Sequence, residues 1–199
     1  MPISPHARVL ATAAALAAAL SLGACSTSST NSGDELPDSS PTATPSDTEP
    51  IPLANMDLSG LAELDYTHNE QVESDNLVQW QTPGCIVQAV VAPHEGSGDD
   101  AADSVAAFDS FGPEFTDLTE RDFVHLPLVT GGTLIMAARS GTVTVDDVVA
   151  EIDLAARAVG EVDTLFVITH SCSDDAPSPT SLDDVMAAIT LRGVVNPDV

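Results

Sequence analysis

A mainly apolar run of 14 residues, Val9–Leu22, lies near the start of the chain, and a polar tract follows from residue 26. The run is too short to span a hydrocarbon core of ~30 Å, which takes about 20 residues. Its length fits the apolar part of an export signal, preceded by a short polar start that carries one charge, Arg8. Residues 26–53 are rich in Ser, Thr and Pro, so we expect a disordered tether. The hydrophobic core must therefore come from residues 54–199, which are enough for one domain.

The apolar run ends in Leu22-Gly23-Ala24-Cys25. This stretch resembles the lipobox of bacterial lipoproteins, although Gly23 departs from the commonest residue at its position. The resemblance implies that residues 1–24 are a signal peptide, that cleavage frees the amine of Cys25, and that the Cys25 thiol receives a diacylglycerol. Residues 25–53 would then tether the domain to the outer face of the cell membrane. The alternative is an ordinary secretory peptide with a chance cysteine.

The charge of the chain is strongly one-sided. It has 31 acidic and 5 basic residues, which gives a formal net charge of −26. Such a surface repels nucleic acid and anionic headgroups, so we expect no nucleic-acid partner. It would attract cations or basic partners, but acidic surfaces also simply keep proteins soluble.

Two cysteines remain if Cys25 is lipidated, namely Cys85 and Cys172. An even pair in an oxidising compartment predicts a disulfide, which would close a long loop. A thiol nucleophile or a metal site with two cysteine ligands are the alternatives.

The β-strand signals are short runs bounded by turn residues. Residues 77–81 and 85–91 predict a hairpin around Thr82-Pro83-Gly84, where Pro followed by Gly fits a type II turn. Gly131-Gly132 separates strands predicted at 123–128 and 133–139. Residues 145–159 fit a helix or a strand, and we favour a strand because the preceding residues are β-branched. It would form a hairpin with the strand that begins at Thr164.

Two helices are predicted, one over 101–111 and one that begins after Ser181. Ser181 and Asp184 have the spacing of a capping box, and Arg192 and Gly193 should close the second helix. The element order predicts an α+β domain, an antiparallel sheet with helices on one face. This layout is similar to the PsbP-like fold of extracytoplasmic lipoproteins of actinobacteria.

Reactive side chains are few. His170-Ser171-Cys172, with Asp174 nearby, would be the place for a hydrolytic site, but no Gly-x-Ser-x-Gly elbow is present. His68 and His94 lack the spacing that puts two metal ligands on one helix face. The Asp pairs lack a calcium-loop pattern, and no nucleotide-binding motif occurs, so we expect no catalytic residues, metal or cofactor.

These features favour a non-enzymatic envelope lipoprotein whose domain binds a small molecule or an envelope protein. The first alternative is a hydrolase with a site near His170. The second is an accessory protein that serves envelope assembly.

Membrane attachment should depend on Cys25. The exported Cys25→Ser protein should incorporate no labelled palmitate and should no longer partition into the detergent phase, since it lacks the thiol that carries the lipid. Palmitate labelling and phase partitioning measure both effects. Label retained by the Cys25→Ser protein would contradict the lipobox interpretation.

Overall fold

The structure, a computed structural model, describes residues 55–112, 114–145, 148–173, 176 and 179–194. The apolar run, Cys25 and the Ser/Thr/Pro-rich tract lie outside the described residues, so the statements about them stay predictions. Among the helices in the described ranges, none is both long and apolar enough to cross a membrane.

The described residues form nine β-strands: β1 Met56–Asp57, β2 Thr67–His68, β3 Leu77–Gln81, β4 Cys85–Pro93, β5 Phe115–Pro127, β6 Thr133–Val145, β7 Val148–Val159, β8 Thr164–Cys172 and β9 Thr190–Leu191. The α-helices in the same ranges are short: α1 Asp100–Ala106 and α2 Leu182–Ala187. Three 3₁₀ segments complete the elements: Ser59–Leu64, Ala107–Ser110 and Gly160–Val162.

Seven strands make one antiparallel sheet in the order β2-β3-β4-β8-β7-β6-β5. The strands pair mostly with their neighbours in the chain, but β8 inserts between β4 and β7 and joins the two halves. β1 and β9 pair separately as a two-stranded sheet. The ends of the described domain are thereby held together.

Alternate residues of the central strands enter two different cores, because side chains on a strand point to opposite faces. On β8, Phe166 and Ile168 belong to a larger core that includes Leu182 and Met186 of α2. The intervening residues of β8 belong to a smaller core with Phe108, on the α1 side of the sheet. The two helices therefore cover opposite faces.

The predicted α+β class, with helices on one face, is wrong. The described chain is mainly β, and α1 and α2 have only 7 and 6 residues. The strands are longer than predicted: those expected at 123–128 and 133–139 run over Phe115–Pro127 and Thr133–Val145. Much of β5 is exposed at the sheet edge and is polar. It therefore lacks the alternation of apolar residues from which a strand is predicted.

Several local predictions are confirmed. The hairpin of β3 and β4 forms, residues 148–159 are a strand that pairs with β8, and Ser181 and Asp184 make the capping box of α2. The second helix does not reach Arg192, because Thr190 and Leu191 leave it to pair with β1.

The type II turn before Cys85 is also not formed. Gly84 is not among the described glycines with positive φ, which position i+2 of that turn requires. The Thr82 hydroxyl instead accepts hydrogen bonds from the backbone amides of Gly84, at 3.3 Å, and Cys85, at 2.9 Å.

Phe166 should be a principal anchor of the larger core. Its side chain is fully buried at 0% exposure, whereas Phe123 on the edge strand is 65% exposed. Phe166→Ala should lower the free energy of unfolding by about 3–5 kcal/mol, because it leaves a large cavity. Phe123→Ala is the matched control and should change it by less than about 0.5 kcal/mol. Urea unfolding followed by the fluorescence of Trp80 measures both, and equal effects would contradict the burial pattern.

Candidate functional site

An open cleft of about 480 Å³ lies where the ends of β6, β7 and β8 meet the start of β5 and the segment before α2. Its lining is mixed, with carboxylates, hydroxyls, one histidine and one cysteine. The lining residues are Asp117, Thr119, Ser140, Gly141, Thr142, Glu151, Ile152, Asp153, His170, Cys172, Pro179 and Thr180. We call this the acidic cleft.

A disulfide joins Cys85, the first residue of β4, to Cys172, the last residue of β8. The two residues are direct cross-strand partners, with their Cα atoms 4.0 Å apart. In the next pair along, the Ser173 amide donates to the Gly84 carbonyl, so the cysteines occupy a non-hydrogen-bonded position, where Cα atoms approach most closely. The predicted pairing of these cysteines is confirmed.

His170 lies beside the disulfide and is only 3% exposed. Its Nε2 atom is 3.3 Å from Cys172 Sγ, 3.3 Å from the Tyr66 hydroxyl oxygen and 3.2 Å from Thr180 Oγ1. Its Nδ1 atom faces Asp153 at 3.9 Å. Burial raises the pKa of the Tyr66 phenol, although its hydrogen bond with Thr180 opposes this. Tyr66 is therefore a protonated hydroxyl that holds the ring and Thr180 in place.

Asp153 connects His170 to the neighbouring strands. Ser140 of β6 is its cross-strand partner on one side and His170 of β8 on the other. The Ser140 hydroxyl donates to Asp153, and Arg121 of β5 forms an ion pair with it at 2.9 Å. Burial raises the pKa of Asp153, but the contacts with His170, Ser140 and Arg121 outweigh it and lower the pKa from 3.8 to about 2. Asp153 is therefore ionised at neutral pH.

A bulge in β5 places Asp117 at the rim of the cleft. The register of β5 against β6 shifts between Thr116 and Thr119, and Asp117 has a φ of 55°. Aspartate tolerates this left-handed conformation better than most residues. A Cβ atom at Gly141 would lie only 2.7 Å from the Thr116 carbonyl oxygen, so the glycine lets the bulged strand approach. Bulges of this kind often redirect side chains near sites.

The structure separates the other residues that the sequence singled out. Ser171 points away from His170, and its hydroxyl donates to the Glu151 carbonyl at 2.6 Å. His68 contacts Glu73 and the ring of Trp80, whereas His94 faces Asp103 at 3.6 Å. Cys25 and Asp174 lie outside the described residues.

Within the described ranges, one group of three potential metal ligands comes together: Cys85, His170 and Cys172. Two of these three are bonded to each other, which leaves neither sulfur free to bind an ion. While the disulfide is intact, Cys172 is not a free nucleophile, and the Ser171 hydroxyl bonds to Glu151 rather than to His170, so neither forms a hydrolytic pair with the histidine.

Sequence reasoning missed Tyr66, Ser140, Asp153 and Thr180, although each contacts His170 or its carboxylate. The sequence contains one weak indication of a functional role for Asp153, because this acidic residue interrupts the apolar residues of β7. Its partners depend on the register of three strands, which no local pattern specifies.

Comparison with known proteins identifies no family. No family model matches the chain, and no curated protein matches it. A crystal structure of a protein from Bacteroides thetaiotaomicron is similar over 65% of this chain, with a TM-score of 0.43 and 12% identity. The chain spans only 42% of that protein's length.

Replacing Asp153 should give a stability loss that depends on pH. The Asp153→Asn protein should be less stable at pH 7 by about 1–3 kcal/mol, because the contacts with Arg121 and His170 weaken. The pKa of Asp153 is lowered in the folded protein. The stability that its charge contributes is therefore complete above pH 3.8 and is lost as the pH falls through about 2. The difference in unfolding free energy between the Asp153→Asn protein and wild type should therefore shrink over that pH interval.

Urea unfolding at pH values between 7 and 2 measures this gap. Asp122→Asn, an exposed carboxyl on the same strand as Arg121, is the control and should shift stability by less than about 0.5 kcal/mol. A gap that stayed constant down to pH 2 would show that Asp153 does not act through its charge.

Proposed function

We propose that this protein is a lipid-anchored extracytoplasmic lipoprotein whose folded domain binds a small cationic ligand in the acidic cleft. The lipid anchor is supported by the sequence alone, through the apolar run and the Leu22–Cys25 stretch. A tether of 28 residues between Cys25 and residue 54 would reach about 30 Å as a flexible chain, at ~5–6 Å × √n. That reach would hold the cleft clear of the membrane surface.

The negative charge of the cleft is the observation from which we infer a positively charged ligand. Three carboxylates line it, Asp117 of β5 and Glu151 and Asp153 of β7. No lysine or arginine is among the described lining residues. Arg121 neutralises Asp153 from the side, so Asp117 and Glu151, both exposed, supply the net negative charge. A positively charged group is the natural counterpart in such a cleft.

The size and polarity of the cleft indicate a small, hydrophilic ligand. A volume of about 480 Å³ lies within the usual range of small-molecule sites. Thr119, Ser140 and Thr142 add hydroxyls that can donate or accept hydrogen bonds. Ile152 is the one large aliphatic side chain among the described lining residues, so an apolar ligand would gain little there. We therefore favour a primary or secondary amine with further polar groups.

Isothermal titration calorimetry of the exported protein with putrescine, spermidine and ethanolamine tests this proposal. At least one amine should bind, and its affinity should fall as salt rises from about 50 mM to about 300 mM, because added salt screens the charges. Asp117→Asn and Glu151→Gln should each weaken binding by about 5–10-fold, equivalent to about 1–1.4 kcal/mol.

Glu63→Gln is the matched control, since it removes the same charge from an exposed position outside the cleft. The affinity of the Glu63→Gln protein for the amines should equal that of wild type. Equal losses in all three variants would mean that the amines bind the acidic surface as a whole. Absence of binding by all three amines would refute the proposed ligand class.

A further inference from the structure

The two sulfurs of the disulfide differ in their access to solvent. Cys172 is half-buried and lines the acidic cleft, whereas Cys85 is 1% exposed and is not part of the lining. A molecule that enters the cleft can therefore reach Cys172 Sγ but is shielded from Cys85 Sγ. Thiol–disulfide exchange depends on such access, since the attacking thiolate must contact one sulfur directly.

A proton donor lies beside both sulfurs. A ring nitrogen of His170 is within 4.8 Å of each sulfur, and Nε2 is 3.3 Å from Cys172 Sγ. Asp153 faces the other ring nitrogen at 3.9 Å and orients the ring. Asp184 of α2 is near enough to sense the charge of His170, and Arg121 offsets the charge of Asp153. This geometry suits proton transfer at the disulfide.

We propose that Cys85–Cys172 is an exchange-active disulfide, opened by a dithiol that enters the acidic cleft, with His170 as the proton donor. The thiolate of the dithiol attacks Cys172 Sγ and forms a mixed disulfide. The bond between the cysteines breaks, and Cys85 Sγ takes the electron pair and a proton from the His170 imidazolium. The second thiol of the dithiol then gives its proton to His170, attacks the dithiol sulfur that is linked to Cys172, and releases Cys172 as a thiolate.

The products balance. The dithiol, which enters with its attacking thiol ionised, is oxidised to a cyclic or intramolecular disulfide. The protein gains two electrons and one proton, so that Cys85 is a thiol and Cys172 a thiolate. In the reduced protein Cys172 is the more accessible nucleophile, next to His170, and Cys85 is the buried cysteine that closes the bond again. This activity is distinct from amine binding, because it uses the sulfur and the histidine at the floor of the cleft rather than the carboxylates at its rim.

The rate of reduction tests the role of His170. Exported, disulfide-intact protein is treated with dithiothreitol at pH 7 without denaturant, quenched with an alkylating agent and analysed by mass spectrometry. The His170→Asn protein should be reduced at least about tenfold more slowly than wild type, because the departing sulfur loses its proton donor. His94→Asn is the control: His94 also faces a carboxylate, at 3.6 Å, but is absent from the cleft lining, so its rate should be unchanged.

Labelling of the wild-type protein tests the same assignment without relying on the folding of a histidine variant. After reduction, limiting iodoacetamide should label Cys172 at least about tenfold faster than Cys85. Equal reduction rates for wild type and a folded His170→Asn protein would overturn the proposal. So would faster labelling of Cys85, or wild-type reduction that proceeds only at the rate of global unfolding.

A parallel arm identifies the kind of dithiol. Reduced thioredoxin replaces dithiothreitol at an equal dithiol concentration. Faster reduction by thioredoxin would indicate a dithiol carried by a protein, and faster reduction by dithiothreitol would indicate a small molecule. Failure of amine binding in the calorimetric test would leave both of these outcomes intact.

Discussion

The insertion of β8 between β4 and β7 is the pairing on which the rest of the structure depends. Without the β4–β8 pairing, the seven strands would form two separate sheets, β2-β3-β4 and β8-β7-β6-β5, and β4 and β8 would become additional unpaired edges. β8 is also the strand whose alternating side chains enter both cores, so its register determines which residues are buried on each face. The Cys85–Cys172 bond lies at the end of the β4–β8 ladder and fixes that register covalently.

The same register assembles the site. Ser140, Asp153 and His170 are successive cross-strand partners on β6, β7 and β8, so one row across the sheet holds a hydroxyl, a carboxylate and an imidazole side by side. A slip of one residue in any of these strands would move one of the three groups to the opposite face. The disulfide, two residues along β8 from His170, is on the same face of the strand. The register of these strands therefore determines both the packing of the sheet and the arrangement of the candidate site.

The sequence predicted local structure well and long-range structure poorly. The β3–β4 hairpin and the cap at Ser181 follow from neighbouring residues, and both were predictable. The full length of β5 was not, because its exposed polar residues resemble a loop until a partner strand supplies hydrogen bonds. The fold class was wrong because β5 and β6 extend well beyond their apolar runs, and because the second helix ends before Thr190 and Leu191, which pair as a strand. The cysteine pair was predictable because few alternatives existed, whereas Asp153 and Tyr66 meet His170 only through tertiary contacts.

The scarcity of cations determines how the acidic cleft can work. Arg121 contacts both Asp153 and Asp183, and so ties β5 to β7 and to the start of α2. It is thereby engaged in structure and cannot also neutralise the rim carboxylates Asp117 and Glu151. Those carboxylates lie on the β5 bulge and on β7, at positions that the backbone fixes, so their negative charge is held in the cleft. A cationic ligand bound there, as proposed, would be stabilised by both charges, and the exposed position of both side chains would keep the desolvation cost of binding small.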